Sequence, residues 1–305
     1  MPIKIPNNLP ARPVLESEGV MIISEADAIR QDVRPLNIGL LNLMPNKIKT
    51  ETQFARLLGS TPLQIDLTLV SMTNHVPRNT PQDHMAAFYQ PWTDVKNRKF
   101  DGFIITGAPV EKLPFEEVRY WEEMCDVLDW TQTHVHRTMT ICWAAQAATY
   151  HFYKMPKYAR DGKATGVYRQ RTLDPTSPYL RGFSDDFCLP VSRWTETRKS
   201  DIPQDSNLTV LAEDDDTGMC LLGDPDHRSL HMFNHIEYDT TSLADEFERD
   251  VQSSAKPIRP ENYFPNDDAE KDPVNRWRAH AHLLFGNWIN EMYQTTPFEI
   301  DEIGT

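Results

Sequence analysis

Residues 36–58 read LNIGLLNLMPNKIKTETQFARLL, and no other stretch says as much about the fold. The first part, residues 36–43, is a short apolar run that ends at Met44 and Pro45. From Lys47 onward, aliphatic side chains recur at spacings of three and four residues, which is the period of an amphipathic helix. The stretch therefore predicts a strand, a turn and a helix in succession.

Further apolar runs continue this alternation through the first half of the chain. We predict strands over 65–70, 102–107 and 138–142, and a long helix over 115–133 that begins after Pro114, since proline is favoured in the first turn of a helix. Strands that alternate with helices favour a doubly wound, mainly parallel α/β sheet with right-handed crossovers. Ligands of such sheets bind at the carboxyl ends of the strands. Chemistry is therefore expected directly after each apolar run.

The second half of the chain is less regular. Beyond residue 156 the sequence breaks into short segments punctuated by Pro and Asp. No domain boundary is visible, so we expect residues 1–305 to form a single domain, with the Pro-rich residues 1–35 as an N-terminal arm. Strands are predicted over 208–212, 219–222 and 229–233, and helices over 242–251 and 273–293.

The composition argues against several classes of function. The chain carries 31 Lys and Arg against 45 Asp and Glu, a formal charge of −14, and has no run rich in Lys or Arg. We therefore expect neither nucleic acid nor a membrane surface as a partner. Because no apolar run has the length of a signal peptide or a membrane span, the sequence predicts a cytoplasmic protein. The four irregularly spaced cysteines and ten histidines contain no CxxC or HExxH motif, so we expect neither disulfides nor a metal site.

The segment TMTICWAAQAA over 138–148 carries the strongest chemical signal. It places Cys142 where an apolar strand gives way to an alanine-rich helix start, which is the arrangement of a nucleophile elbow. The helix N-terminus would stabilise a thiolate, and the amide of Trp143 would face an oxyanion. The alternative interpretation is a buried core cysteine at the end of a strand.

A second segment, FNHIEYD over 233–239, follows another apolar run and would lie at the same edge of the sheet. A cysteine nucleophile needs a base, and the base needs a carboxylate that fixes its tautomer. Residues i and i+2 of an extended segment point the same way, so Glu237 can lie beside His235. The alternative interpretation of His235 is a surface histidine in a loop. The cysteine elbow expected at the same edge of the sheet disfavours this alternative.

Together these motifs resemble the homoserine O-acyltransferases of methionine biosynthesis, and among them the homoserine O-acetyltransferases most. The resemblance spans about residues 1–300 and implies a flavodoxin-like, class I glutamine amidotransferase-like fold. Thr140 and Ala144 flank the cysteine where the wider amidotransferase pattern has glycines. The residues that carry the resemblance are Leu41-Asn-Leu-Met-Pro-Asn-Lys47, Thr50-Glu51, Gly107-Ala-Pro109, Ile141-Cys-Trp143, Gln146-Ala147, Gly166-Val-Tyr168, His235, Glu237-Tyr238-Asp239, Asn262-Tyr-Phe-Pro265, Trp277-Arg278 and His280.

The resemblance also implies catalytic roles. Cys142 would form the acyl-thioester, His235 would act as the general base, and Glu237 would orient the histidine. Lys47 matches a lysine near the active site, where a cation supports a developing oxyanion, and the amide of Trp143 would be a second support. A solvated lysine at a helix start is the alternative for Lys47.

Substrate-binding roles follow from the same resemblance. Lys163, Ser192 and Arg249 match positions that bind the amino-acid substrate, and a guanidinium suits a carboxylate. Glu111 matches a position that distinguishes acyl-CoA donors, with glutamate accompanying acetyl transfer and glycine accompanying succinyl transfer. A solvated loop glutamate is the alternative for Glu111.

The implied reaction is a ping-pong transfer of acetyl from acetyl-CoA to L-homoserine, giving O-acetyl-L-homoserine. Acetyl-CoA would be a co-substrate, and no resident cofactor is expected. Succinyl-CoA as the donor, and a thiol hydrolase or glutaminase of the same fold, stay open as alternatives. A homodimer also stays open. The sequence shows no Gly-rich phosphate-binding loop that would locate the nucleotide end of CoA.

Overall fold

The computed structural model describes residues 3–20, 22–23, 34–75, 79–253 and 257–304. A large part of the predicted N-terminal arm, residues 24–33, lies outside these ranges. At the start of the arm, Ile3 and Lys4 form a short strand that pairs in parallel with Ile65 and Asp66.

Strands and helices alternate through the first half of the chain, and strands dominate the second half. The strands are β1 (Ile3–Lys4), β2 (Ile22–Ile23), β3 (Leu36–Leu41), β4 (Ile65–Ser71), β5 (Tyr89–Pro91), β6 (Phe100–Ile105), β7 (Val135–Ile141), β8 (Tyr158–Thr172), β9 (Asp186–Glu196), β10 (Thr209–Asp214), β11 (Gly218–Asp224) and β12 (Ser229–Met232). The α-helices are α1 (Ala11–Ser17), α2 (Lys47–Leu58), α3 (Gln82–Phe88), α4 (Trp92–Val95), α5 (Trp121–His134), α6 (Trp143–Tyr153), α7 (Ser242–Ser253) and α8 (Arg278–Thr295).

In the described ranges these strands form one sheet of 12 strands. Their order is β2-β1-β4-β3-β6-β7-β12-β11-β10-β8-β9, with β5 beside β4. All neighbours from β2 to β12 are parallel, and all neighbours from β12 to β9 are antiparallel. The predicted mainly parallel α/β sheet is confirmed, and it carries an antiparallel extension at one end.

Consecutive side chains of a strand point to opposite sides of the sheet, so the apolar strands of the parallel region have two faces to bury. Helices cover both of these faces. Ile104 of β6 belongs to the hydrophobic core under α2 and α8, whereas Phe103 and Ile105 belong to the core under α5 and α6. Gly102 lies where α8 packs directly on β6, since a Cβ there would lie 2.7 Å from the ring of Trp288. The sheet is therefore doubly wound, with one apolar core on each face.

The strand order brings two distant segments to one edge of the sheet. β7 and β12 are parallel neighbours, with Ile141 beside Met232 at their carboxyl ends. The amide of Cys142 donates to the carbonyl of Met232 at 2.7 Å. Residues 233–237, which follow β12, therefore leave the sheet next to Cys142, at the edge where ligands bind in this architecture.

The long hairpin of β8 and β9 was not predicted from the sequence. It pairs Thr165 with Ser192 and Ala164 with Arg193. Pro190 lies inside β9, and Arg193 and Thr195 are buried on its inner side. Because proline and buried polar residues interrupt the expected apolar alternation, the sequence pattern does not mark this strand.

Two predicted helices begin later than expected. The segment after Pro114 forms only a 3₁₀ turn over Phe115–Glu117, and α5 begins at Trp121. The ring of Phe115 stacks on Trp121 and on Tyr150, with centroid distances of 5.1 and 4.6 Å. This aromatic packing against α6 holds the turn apart from the helix. Similarly, the last helix, predicted over 273–293, begins at Arg278.

Candidate active site

Cys142 lies between the end of β7 and the first turn of α6. Its backbone has φ 53° and ψ −114°. A non-glycine residue rarely adopts a positive φ, and such a conformation costs about 1–3 kcal/mol. Gly107 leaves room for this turn, because a Cβ on Gly107 would lie 3.1 Å from the Cβ of Cys142 and 3.5 Å from Cε1 of His235. The strained turn presents the cysteine at the N-terminus of a helix, where the dipole favours negative charge.

His235 and Glu237 form a buried pair beside this turn. Nδ1 of His235 lies 2.7 Å from Oε1 of Glu237. The ring of His235 stacks on that of Tyr238, with the centroids 4.2 Å apart. The backbone amide of His235 donates to the carbonyl of Pro190 at 2.9 Å. Since Nδ1 is occupied by the carboxylate, Nε2 is the nitrogen left for Cys142. This is the relation that a general base needs to a nucleophile.

The protonation of His235 is coupled to the cysteine. Burial alone would lower the pKa of His235, but the charges of Cys142 and Glu237 and hydrogen bonds to both raise this pKa well above its ordinary value. Acylation of Cys142 would remove its share of that effect. The ring would then release its proton more easily and become available as a base.

A cavity of about 470 Å³ opens onto Cys142 and His235. The volume is in the usual range for a small-molecule site. Its walls come from the loop after β6, from β9 and from α7. The lining residues used below are Gly107, Glu111, Lys112, Lys163, Ser192, Trp194, Tyr238, Glu246 and Arg249.

Glu246 of α7 is the centre of the polar wall. One oxygen accepts from the hydroxyl of Tyr238 at 2.6 Å, and the other accepts from Ser192 and from Nζ of Lys163, the latter at 3.3 Å. Lys163 also lies 2.9 Å from Asp250. Burial would raise the pKa of Glu246, but Lys163, Ser192 and Tyr238 hold that pKa below its ordinary value. The wall therefore presents an ionised carboxylate.

Arg249 provides a cation on the same wall. It follows Glu246 by three residues on α7, so both lie on one side of the helix. Its guanidinium lies 3.6 Å from Asp250, and 60% of its side chain is exposed. A carboxylate and a guanidinium on one wall match the ammonium and carboxylate of an amino acid. The three predicted substrate-binding residues, Lys163, Ser192 and Arg249, thus line one cavity with Cys142.

Glu246 was not predicted from the sequence. The spacing of Glu246, Arg249 and Asp250 at i, i+3 and i+4 in a segment shortly after the histidine motif was the available signal. Only Arg249 of these three matches a family position, and Glu246 and Asp250 fit the polar face of a surface helix equally well. Their position over the cavity comes from the packing of α7 against the site.

Arg193 is a second residue that the sequence did not single out. Its Nη1 donates to the carbonyl of Phe233 at 2.9 Å and to Oδ1 of Asn234 at 2.8 Å. Burial lowers the pKa of Arg193, and the charge of Cys142 acts against that change. Arg193 therefore holds the backbone just before His235 and places a positive charge near Cys142.

The remaining predicted positions are placed as follows. Lys47 is buried, its Nζ donates to the carbonyl of Asn42, and burial lowers its pKa to about 8. Its Nζ also lies 5.5 Å from the ring centroid of Tyr89, and Lys47 is not among the residues that line the cavity. Trp143 is the first residue of α6, and Glu111 lines the cavity. The oxyanion roles of Lys47 and Trp143 stay predictions.

Two negative findings concern the described ranges alone. Within 3–20, 22–23, 34–75, 79–253 and 257–304, no group of three His, Cys, Asp or Glu side chains is placed to hold a metal ion. None of the helices found in these ranges combines the length and the apolar character needed to cross a membrane.

Comparison with known sequences shows the family of the chain. The sequence model of the family described as homoserine O-succinyltransferase matches residues 2–298. The chain belongs to this family. Relatives of this family member from Brucella canis, Brucella suis and Brucella abortus are each named homoserine O-acetyltransferase. They are 70% identical over 304 residues, which is 100% of this chain and 99% of theirs.

Solved structures resemble this homoserine O-succinyltransferase family member in fold. A glutamine amidotransferase from Thermotoga maritima matches with a TM-score of 0.55 and 9% identity, over 86% of this chain and 100% of that chain. The glutaminase domain of a CTPS from Trypanosoma brucei matches with a TM-score of 0.52 and 9% identity, over 88% and 98%. At such identities the likeness concerns the fold, and it confirms the predicted glutamine amidotransferase-like architecture.

Proposed function

We propose that this protein transfers an acetyl group from acetyl-CoA to the hydroxyl of L-homoserine, through an acyl-cysteine on Cys142, within a single domain. The observation that carries the proposal is the shared cavity. It joins a nucleophile with its base, Cys142 and His235, to a wall whose Glu246 and Arg249 match the two charged groups of an amino acid.

The first half-reaction loads the cysteine. The thiolate of Cys142 attacks the thioester carbonyl of acetyl-CoA, a new carbon–sulfur bond forms, and the bond to CoA breaks. His235 carries the proton of the thiol and gives it to the departing CoA sulfur. Glu237 keeps Nδ1 of the ring occupied, so that Nε2 handles the proton throughout.

The second half-reaction unloads the cysteine. His235, whose pKa falls once Cys142 carries the acetyl group, takes the proton of the homoserine hydroxyl as its oxygen attacks the acyl carbon. The bond to the sulfur breaks, and the ester O-acetyl-L-homoserine leaves. Homoserine is held by its ammonium against Glu246 and by its carboxylate against Arg249, with Lys163 and Ser192 fixing the position of Glu246.

The negative oxygen of both tetrahedral intermediates needs hydrogen-bond donors. The first amide of α6, that of Trp143, is one donor in this scheme. The backbone after β6 supplies the other, because Gly107 and Ala108 line the cavity against Cys142 and Pro109 has no N–H to offer.

Glu111 favours acetyl over succinyl as the transferred group. It is half-buried and lines the cavity that holds Cys142. A succinyl chain would bring its own carboxylate toward Glu111, and like charges about 4 Å apart repel by about 4 kcal/mol at an effective dielectric near 20. The relatives at 70% identity are named homoserine O-acetyltransferase, which supports the same choice.

We predict that Glu111→Gly shifts the donor preference toward succinyl-CoA, because it removes both the charge and the bulk of the side chain. Steady-state kinetics with each donor at saturating homoserine measures the ratio of kcat/KM values. Equal or better use of succinyl-CoA by the unmodified protein would contradict the acetyl assignment and leave homoserine acylation intact. The family description as homoserine O-succinyltransferase is the reason to test this donor first.

Release of free CoA thiol tests the function itself. Purified protein is incubated with acetyl-CoA in the presence and absence of L-homoserine, and with L-glutamine in a separate reaction. Without homoserine we expect at most one equivalent of CoA thiol per protein, from the loading of Cys142, and continued release only when homoserine is present, with no ammonia from glutamine. Continued thiol release beyond one equivalent without homoserine would indicate a thioester hydrolase, and ammonia from glutamine would indicate a glutaminase, the activity named for a structural neighbour.

A further inference from the structure

A second cavity of about 630 Å³ adjoins the catalytic one. Glu111, Lys112, Leu113 and Trp194 line both cavities. The second cavity then continues to Lys157, Arg160 and Tyr150, away from the wall of Glu246 and Arg249. The two cavities therefore meet end to end at the 111–113 loop.

Strand β9 contributes side chains to both cavities. Ser192 and Trp194 are two residues apart and point to the same side of the strand, whereas Arg193 between them points inward. Ser192 contacts Glu246 at the amino-acid end, and Trp194 lies where the cavities meet. A substrate that enters beside Trp194 thus reaches Cys142 from the end that homoserine leaves open.

Cations line the second cavity although the chain as a whole is acidic. Nζ of Lys112 lies 3.4 Å from the ring centroid of Trp194, and Nζ of Lys157 lies 4.4 Å from that of Phe115. Lys157 also donates to the carbonyl of Glu111 at 2.7 Å and to that of Leu113. Within the described ranges, neither lysine forms an ion pair with a carboxylate.

Of the other charged groups of this cavity, Glu111 lies at the junction with the catalytic cavity, and Arg160 and Glu116 are already engaged. Arg160 pairs with Glu196 and donates to the carbonyl of Asp216 at 3.1 Å. Glu116 accepts from the hydroxyl of Tyr150 at 2.6 Å. Beyond the junction at Glu111, Lys112 and Lys157 are therefore the charges that an anionic ligand would meet.

We propose that this second cavity binds the phosphorylated tail of the acyl-CoA donor, with Lys112 and Lys157 as the phosphate-binding residues. The proposal rests on the function proposed above. The acyl group then lies at Cys142, the pantetheine arm passes Trp194 and the 111–113 loop, and the phosphates lie against the two lysines. Charge-assisted bonds from lysine to phosphate are among the stronger hydrogen bonds in proteins. The placement also sets Glu111 at the junction, next to the acyl end of the donor.

Two acetyl donors test the assignment. Acetyl-CoA carries the phosphates, and S-acetyl-N-acetylcysteamine has the same thioester without them. We expect Lys112→Ala and Lys157→Gln each to lower the ratio of kcat/KM for acetyl-CoA to kcat/KM for the short donor by about tenfold. Gln at 157 can still donate to the loop carbonyls. Lys96→Ala is the matched control, since Lys96 lies 5.9 Å from the ring centroid of Trp92 outside both cavities, and it should leave the ratio unchanged.

The outcomes separate the two proposals. A ratio that stays at the wild-type value in both variants, or a parallel loss with both donors, would overturn the phosphate site and leave the acyltransferase standing. Transfer from neither donor by the unmodified protein would remove the proposed function and this site with it. A fall in the ratio for the two cavity variants alone would support the assignment.

Discussion

Two histidine–carboxylate pairs lie along the end of β12, and they differ in one respect that decides their chemistry. In the first, His231 has Nδ1 2.7 Å from the hydroxyl of Thr140 and Nε2 3.3 Å from Oδ2 of Asp224. In the second, His235 has Nδ1 2.7 Å from Glu237, and its ring faces Cys142. Each histidine–carboxylate pair therefore has beside it a side chain that can act as a nucleophile, Thr140 in the first pair and Cys142 in the second.

The difference is the position relative to the end of the sheet. Thr140 and His231 lie inside β7 and β12, opposite each other in the ladder, and both are fully buried. Cys142 and His235 lie just beyond the ends of the same strands and line a cavity. The residue types alone do not separate a catalytic group from a structural one. Access at the carboxyl edge of the sheet does.

The partners of the carboxylates support this distinction. Asp224 also accepts from the hydroxyl of Tyr153 at 2.7 Å, and it lies 3.0 Å from Nδ1 of His227. Burial would raise the pKa of Asp224, but its bonds to His227, His231 and Tyr153 lower that pKa. Oε2 of Glu237, by contrast, has no hydrogen-bond partner in the described ranges. The inner pair, His231 and Asp224, therefore belongs to a hydrogen-bonded network in which Asp224 has several partners. In the outer pair, His235 and Glu237, the carboxylate bonds through one oxygen to the histidine.

The largest effect expected from this comparison is on catalysis by the outer pair. We predict that His235→Ala lowers kcat by about a hundred- to ten-thousand-fold, since general-base catalysis has that size. Glu237→Gln should lower kcat by less, because it disturbs the orientation of the ring and leaves the base present. Thiol release in the presence of homoserine measures both. A His235→Ala protein with a nearly normal rate would break the comparison.

The inner pair should affect stability and leave the chemistry alone. We predict that His231→Leu costs about 1–3 kcal/mol of folding free energy, because it leaves the buried hydroxyl of Thr140 without its partner and removes one of the hydrogen bonds of Asp224. Urea unfolding followed by circular dichroism measures this cost, and kcat of the folded variant is the control. A loss of kcat as large as that of His235→Ala would show that the two pairs are not distinct in function.

The smallest effect concerns the pKa of His235. We predict that Cys142→Ala lowers this pKa, since the charge of Cys142 and its hydrogen bond to the ring are among the causes of the increase. Nuclear magnetic resonance titration of the ring in the unmodified protein and in the variant measures the change. An unchanged pKa would show that the two side chains are not coupled.

The same shift predicts how stability depends on pH. The folded-state pKa of His235 lies above the unfolded value, which is about 6.5, so protonation stabilises the fold. This gain is complete below about pH 6.5 and is lost as the pH rises through the folded-state pKa. In Cys142→Ala the gain should be smaller, and unfolding measured across this pH range would show it.

The sequence was most informative where structure is local. Alternating apolar runs predicted β3, β4, β6 and β7, because a buried parallel strand leaves a short continuous apolar stretch. The hairpin of β8 and β9 escaped prediction, since its inner side carries Arg193 and Thr195, whose burial depends on partners from distant segments. The late start of α5 likewise reflects the stacking of Phe115 on Tyr150.

The residues of the site also fall into two classes, those that the sequence pattern predicts and those whose place depends on tertiary packing. Cys142, His235 and Glu237 stand out because each follows an apolar run and the i, i+2 spacing is readable in the sequence. Glu246 does not stand out, because only tertiary packing turns its helix toward the cavity. Lys112 and Lys157 were equally hidden, since the cavity that they share forms between a loop and residues 45 positions further along the chain.

The proposed reaction depends on a covalent acyl-cysteine at Cys142, and one measurement tests that intermediate most directly. The protein is exposed briefly to acetyl-CoA without homoserine, quenched in acid, digested and examined by mass spectrometry, with Cys142→Ala treated in parallel. We predict a single acetyl group on the peptide that contains Cys142, its loss when homoserine is added, and no label in the variant. An acetyl group on another residue, or turnover retained by Cys142→Ala, would contradict the account.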